Sequence, residues 1–281
     1  MITDLLDYLN NNLLIAHYCG FDITRPLLSY WTFDRFLKGV HNQTLSDIMK
    51  SQVLSLAKEG FIDTSFIGLD STPVVANTSQ NNPESFLSNK FNPDHQPKAD
   101  RDCKLGVHTA SNQTGEKKYD FYRGYKNHVL VDCISGLPIY EMTTTANVYD
   151  SAVALDILAD THAFLPVIEC TFLADKGYKN FYNGKKHRGC TKYVTIPDDL
   201  RLSVDRNSNY FKSNYSLRTE CERYNSRFKN TGQERMWVRN QSSATNLNTL
   251  AHISLLAVAV AVVTTQSGQS YRKLKTVKRT A

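Results

Sequence analysis

The stretch YKNHVLVDCISGLPIYEMTTT, residues 125–145, decides the fold. Two runs rich in apolar and β-branched residues flank a Ser-Gly pair at 135–136, and a connector of that kind between such runs predicts an antiparallel hairpin. Upstream, SFIGLD (65–70) is a short apolar run followed at once by the turn-prone STP, which predicts a buried strand ending at Asp70. Downstream, DSAVALDILADTHAF (150–164) predicts an amphipathic helix with an Asp at its start. IECTFLAD (168–175) is a second apolar strand that stops on an acid, and TKYVTIP (191–197) a further strand beyond a short helix. A meander followed by alternating helices and strands predicts a mixed α/β sheet with helices packed over it.

Ahead of this block the apolar residues recur at helical spacing in TDLLDYLNNNLL (3–14), WTFDRFLKGV (31–40) and TLSDIMKSQVLSLAKEG (44–60), so residues 1–60 read as a short helical region. The last of these helices is expected to open on a Thr or Ser cap and to close at Gly60. Residues 79–118, rich in Asn, Asp, Pro and Lys, read as a long surface excursion. LAHISLLAVAVAVVTT (250–265) is apolar all round, but it is shorter than a bilayer span of about twenty residues and follows the polar NQSSATNLN. It is expected to be a buried core helix.

Composition narrows the classes. At 281 residues, 41% hydrophobic and 21% charged, the chain has the make-up of a soluble globular protein with no linker tract. The net charge of +6 is concentrated. Arg272, Lys273, Lys275, Lys278 and Arg279 crowd the C-terminus, and KGYKNFYNGKKHRGCTK (176–192) carries further Lys and Arg interleaved with Tyr178, Phe181 and Tyr182. Basic and aromatic residues together suit a nucleic-acid backbone and its unstacked bases, and on charge alone a solvated surface loop and a frayed tail are the equal alternative. The six cysteines are scattered without a CxxC, which argues for a reducing compartment, and His95, Cys103 and His108 make too weak a pattern for zinc. The N-terminus has neither the basic start nor the small-residue cleavage site of a signal peptide, so export is not expected and a cytoplasmic protein is.

The chemistry gathers on carboxylates. Asp70 and Asp175 each end a predicted buried strand, and ligand sites in open α/β sheets collect at strand ends. A third acid lies in YSLRTECERYNSRFK (215–229). At about 100° per residue, Tyr215, Arg218, Glu222 and Lys229 share an arc of roughly 60° on one helix. Leu217, Cys221, Tyr224 and Phe228 form a separate apolar stripe, and Arg223 and Arg227 a third, basic face. Three acids on separate elements are hard oxygen ligands suited to Mg²⁺ rather than zinc. Two such ions about 4 Å apart serve phosphodiester cleavage, with Lys and Arg neutralising the scissile phosphate.

These residues amount to a pattern. The chain resembles the DDE insertion-sequence transposases of the ribonuclease H-like superfamily, specifically the insertion-sequence four group with its Tyr-x2-Arg-x3-Glu-x6-Lys signature, all four positions of which are matched. LDST (69–72) resembles the first-Asp motif, LADKGY (173–178) the second, and GYKNH (124–128) and TTANVYD (144–150) the lesser motifs between them. The resemblance implies a ribonuclease H-like α/β mixed sheet flanked by helices over 61–265, a short N-terminal helical region over 1–60 and a basic tail over 266–281. It implies that Asp70, Asp175 and Glu222 are the catalytic, metal-binding triad for two Mg²⁺ ions, with Mn²⁺ as a substitute. Tyr215, Arg218 and Lys229 would contact transposon-end DNA, with Arg223, Arg227, Lys126 and Lys176 as further DNA-binding residues. The implied reaction is hydrolytic nicking at the element's end, then attack of the freed 3′-hydroxyl on target DNA, by a homodimer in the synaptic complex and with no membrane involved. A non-catalytic DNA-binding remnant and a ribonuclease H-like nuclease without joining are the alternatives. The segment between Asp175 and Glu222 is too short for the large β insertion of hairpin-forming members, and Trp237, beyond the Glu, reads as a packing residue, with stacking on DNA as the alternative.

Overall fold

The computed structural model of the chain describes residues 2–92, 94–111, 117–167, 170–174, 205–266 and 270–272. Four helices come first: α1 (Ile2–Asn11), α2 (Leu13–Tyr18), α3 (Tyr30–Gly39) and α4 (Asn42–Lys58). In α4 the buried residues Leu45, Met49, Val53 and Leu56 recur at three and four, one stripe of the helix. The helix begins before Thr44, and no side chain caps its N-terminus. Asn42 instead donates across to Thr249 Oγ1 at 2.8 Å, so a tertiary bond replaces the expected local cap. Gly60 takes a left-handed φ of 73° just past the helix end, as the sequence predicts.

Strand β1 runs from Phe66 to Val75 and so continues past Asp70, through the STP that reads as a turn. The reason lies in the direction of the amides. Ala76 N donates to Arg123 O of the neighbouring strand, while Val75 N donates the other way, to Glu234 O. Alternation puts the Pro73 nitrogen on the side away from that neighbour, so the missing N–H removes no bond from the antiparallel ladder. The excursion after β1 holds a 3₁₀ turn (Ser79–Asn81), helix α5 (Pro83–Asn89) and strand β2 (Lys104–Ser111). Polar sequence hid β2, because it is held by pairing rather than by an apolar face. It lies along the first half of β3 (Lys117–Asp132), whose second half pairs with β1 on one side and with β4 (Pro138–Thr145). The predicted hairpin is therefore present, turning at Gly136 with φ of 71°.

Helix α6 (Asp150–Phe164) has the predicted bounds, and β5 (Thr171–Leu173) runs parallel to β1 with Leu173 opposite Gly68. The strand expected at 191–197 lies outside the described residues. After α7 (Asn209–Ser216) and α8 (Thr219–Phe228), a π-helical turn at Lys229–Gln233 leads to the long α9 (Gln241–Thr265).

Helices cover both faces of the sheet. On one face Val74, Tyr125, Val129 and Val131 pack against Cys221, Tyr224 and Phe228 of α8 and the start of α9. On the other, Ile67, Leu69 and Leu130 pack against Met49, Val53 and Leu56 of α4, Ile157 of α6 and Leu256 of α9. The architecture is the mixed α/β, ribonuclease H-like sheet expected above. By length and composition α9 could cross a membrane, yet it is packed within this core and buries Asn246, Asn248, Thr249 and His252. Buried polar groups need partners. Thr249 Oγ1 lies 2.5 Å from Glu141, and His252 Nε2 lies 2.9 Å from Asn127 Oδ1. Trp237, expected to pack, is exposed at 70%. Its neighbour Met236 takes the core position, and adjacent residues of an extended segment point opposite ways.

Candidate active site

Alternation along β1 puts Gly68, Asp70, Thr72 and Val74 on the face that α8 covers. A β-carbon at Gly68 would meet Cys221 Sγ at 2.4 Å and Cys133 Sγ at 2.9 Å, so glycine is what lets α8 lie this close. One helical turn after Cys221, Asn225 Nδ2 donates to Asp70 Oδ2 at 3.0 Å. Four residues of helix rise about 6 Å and two residues of strand about 6.8 Å, so α8 runs in the direction of β1 with matching steps. Asp70 Oδ1 accepts from Ser71 N at 2.9 Å.

Glu222 follows Cys221 and so sits at the edge of the packed face. Its side chain is 60% exposed, and Arg218 Nη1 donates to its Oε1 at 2.9 Å. Residues 215–229 are not one continuous helix. Arg218 N bonds Tyr215 O, and Cys221 N bonds Arg218 O, both reaching back three residues, so the chain winds more tightly between α7 and α8. Tyr215 thereby belongs to α7, partly exposed and stacked on Phe211 at 5.3 Å. Lys229 begins the π turn, with Nζ 3.9 Å from Glu234. The packing stripe is as predicted, with Cys221, Tyr224 and Phe228 buried and Leu217 partly so.

The remaining basic residues divide. Arg223 is largely exposed and paired with Glu220. Arg227 is largely buried: it donates to Gly136 O at 2.5 Å and lies over the Tyr224 ring, and desolvation holds its pKa below the usual value. Lys126 lies on the sheet face opposite Asp70, where its Nζ donates to Val148 O and to Asp150 Oδ1 at 3.0 and 3.1 Å. His128 approaches the same carboxylate at 3.6 Å, but burial lowers its pKa to about 4, so the contact is not an ion pair. Asp175 and Lys176 lie outside the described residues. Leu173, the last residue of β5, pairs with Gly68.

Thr72 Oγ1 and Asn225 Oδ1 are buried and without a hydrogen-bond partner among the described residues. The Asp70 and Glu222 carboxylates and the Thr72 hydroxyl are oxygen donors of the kind that a hard divalent cation takes. Among the described residues no group of three or more His, Cys, Asp or Glu converges; two of the three expected acids lie on described elements.

Two features escaped the sequence reading. Asn225 falls at about 280° on the α8 wheel, between the apolar stripe and the Glu222 face, a boundary position that could have signalled its role. Tyr224 leads into a buried chain with no sequence signature. Its hydroxyl lies 2.5 Å from His252 Nδ1, His252 Nε2–H faces Asn127 Oδ1, and Asn127 Nδ2 donates to Glu141 Oε2 at 2.7 Å. Because that amide oxygen can only accept, the proton of His252 sits on Nε2 and the tyrosine donates to Nδ1. Burial keeps the imidazole neutral, its pKa lowered to about 3, and raises that of Glu141 to about 7.

No curated protein and no solved structure matches the chain. A family model does: residues 62–257 match the transposase DDE domain. That span takes in β1 with Asp70, the hairpin, β5, α8 with Glu222 and most of α9, and the chain belongs to the transposase DDE domain family.

Proposed function

We propose that this protein is a DNA transposase of the insertion-sequence four group, with Asp70, Asp175 and Glu222 as the carboxylates that hold two Mg²⁺ ions. The observation that carries the reading is the convergence on Gly68. It is the residue over which α8 packs, one position before Glu222, and it is also the residue paired with Leu173, two before Asp175. DDE transposases use divalent metal ions. When bound, these would neutralise charge that develops on the scissile phosphate and on the attacking and leaving oxygens.

The chain's own residues supply orientation and binding. Asn225 and the Ser71 amide hold the two oxygens of Asp70, and Arg218 holds Glu222. Tyr215, Arg223 and Lys229, on α7, α8 and the turn beyond, contact the DNA backbone. In the first step water attacks the phosphorus at the element's end, the bond to the 3′ oxygen breaks, and that oxygen leaves as a 3′-hydroxyl. In the second that hydroxyl attacks a target phosphodiester and displaces the target's own 3′ oxygen. One phosphodiester is exchanged for another, so no further energy source is needed.

The test is an assay with labelled DNA carrying the element's terminal repeats, in Mg²⁺. Wild-type protein is expected to cleave and join, and Glu222→Gln to bind DNA but do neither. Joining by Glu222→Gln would overturn the catalytic assignment. Cleavage without joining by the wild type would favour a nuclease, and binding alone a remnant.

A further inference from the structure

We propose that Asn225 is a positioning residue that couples the α8 carboxylate to the β1 carboxylate by orienting Asp70 for metal binding. The inference rests on the reading of Asp70 as a metal ligand. Asn225 is 92% buried, being 8% exposed, and stands among the residues that pack α8 on the sheet. Its Nδ2 holds Asp70 Oδ2 at 3.0 Å, while its Oδ1 is buried without a hydrogen-bond partner among the described residues. Burying an unpaired amide oxygen is unfavourable, and an apolar side chain on this face would avoid that cost. The position therefore serves its donor and not its packing.

Geometry says what the donor does. The Ser71 amide takes Oδ1 and Asn225 takes Oδ2, so the plane of the Asp70 carboxylate is set from both sides. Cys221 on Gly68 and Asn225 on Asp70 are two points one helical turn apart, and together they fix both the height and the rotation of α8 over β1. Glu222 lies between them in sequence. The hydrogen bond thus aligns two carboxylates from different elements with each other, the outer support that oriented metal ligands need.

The experiment measures Mn²⁺ binding by the loss of the free-ion EPR signal, in full-length wild type, Asn225→Ala, Asp70→Ala and the double variant, each checked for folding by its melting curve. Asn225→Ala is expected to weaken Mn²⁺ binding about tenfold or more and to lower kcat with little change in KM for DNA. It should have no further effect in the Asp70→Ala background, since coupled residues are not additive. Mn²⁺ affinity within about twofold of wild type in Asn225→Ala would overturn the proposal. So would an equal loss from Asn225→Ala in both backgrounds, which would mark a general disturbance of α8. If Asn225→Ala does not fold, Asn225→Ser, too short to reach Asp70, carries the same comparison. Undiminished Mn²⁺ binding by Asp70→Ala would instead defeat the metal-site reading on which the proposal stands.

Discussion

Cys221 lies over Gly68 so closely that a single added carbon on the strand would come within 2.4 Å of its sulfur. Gly68→Ala should therefore lift α8 from β1, at a cost of about 1–3 kcal/mol, as overpacking does. Activity should fall further than stability, because the displaced helix carries Glu222. Removing the sulfur makes room, so Gly68→Ala with Cys221→Ala is expected to recover part of both. Melting curves and a cleavage assay on wild type and the two variants check this. A fully active Gly68→Ala would show that the spacing is not needed.

Glu141 makes the buried chain from α8 sensitive to pH. Its folded pKa is raised to about 7 by burial, against 4.5 for the free side chain. The folded protein thus keeps a proton that the unfolded chain releases. Stability from this group is fully present below pH 4.5, declines as pH rises through the window, and is lost above 7. His128 and His252 act in the opposite sense. Their pKa values, lowered by burial to about 4 and 3, cost stability as pH falls below 6.5. Glu141→Gln, which keeps the shape of the protonated acid, should gain on wild type as pH rises from 4.5 to 8, by up to ~3 kcal/mol. Urea unfolding at several pH values measures it, and a difference independent of pH would refute the titration.

Arg227 and Arg223 should separate by what they affect. Arg227 donates to Gly136 O and covers Tyr224, so Arg227→Ala is expected to cost about 2–3 kcal/mol of stability. Arg223 is exposed, and its partner Glu220, though buried, keeps Arg272 at 3.5 Å, so the loss of Arg223 is expected to cost about 1 kcal/mol or less. Arg223→Ala should leave melting nearly unchanged while weakening DNA binding and flattening its dependence on salt. Equal melting of the two variants would contradict this division.

Thiol reactivity reports the packing of α8. Cys19 is exposed, whereas Cys103, Cys133 and Cys221 are buried. The Cys221 pKa is pushed up by hydrogen bonding to Cys133, 3.9 Å away, and by burial, and burial pushes Cys103 up to about 12. Only the thiolate reacts with iodoacetamide. Mass spectrometry of the native protein should find Cys19 modified ahead of Cys103, Cys133 and Cys221, and Cys221 only as fast as α8 opens. Labelling of Cys221 at the rate of Cys19 would mean that the helix is not seated.

Much of this protein was legible in its sequence, for reasons that are local. The hairpin at 125–145, helix α6 and the apolar stripe of α8 follow from periodicity and turn chemistry, which need no distant partner. The spacing of Tyr215, Arg218, Glu222 and Lys229 marked the family for the same reason, since a signature is a string. Where a local signal conflicted with long-range pairing, pairing won. Pro73 sits within β1 because its nitrogen faces away from β3, and β2 exists because β3 is long enough to template it. Sequence alone could not say that Asn225 meets Asp70 across 155 positions, or that Arg227 is spent on Gly136 and Lys126 on Asp150. Those are choices among many possible partners for one polar group. They are settled only when burial removes water as a competitor and leaves a single neighbour within reach.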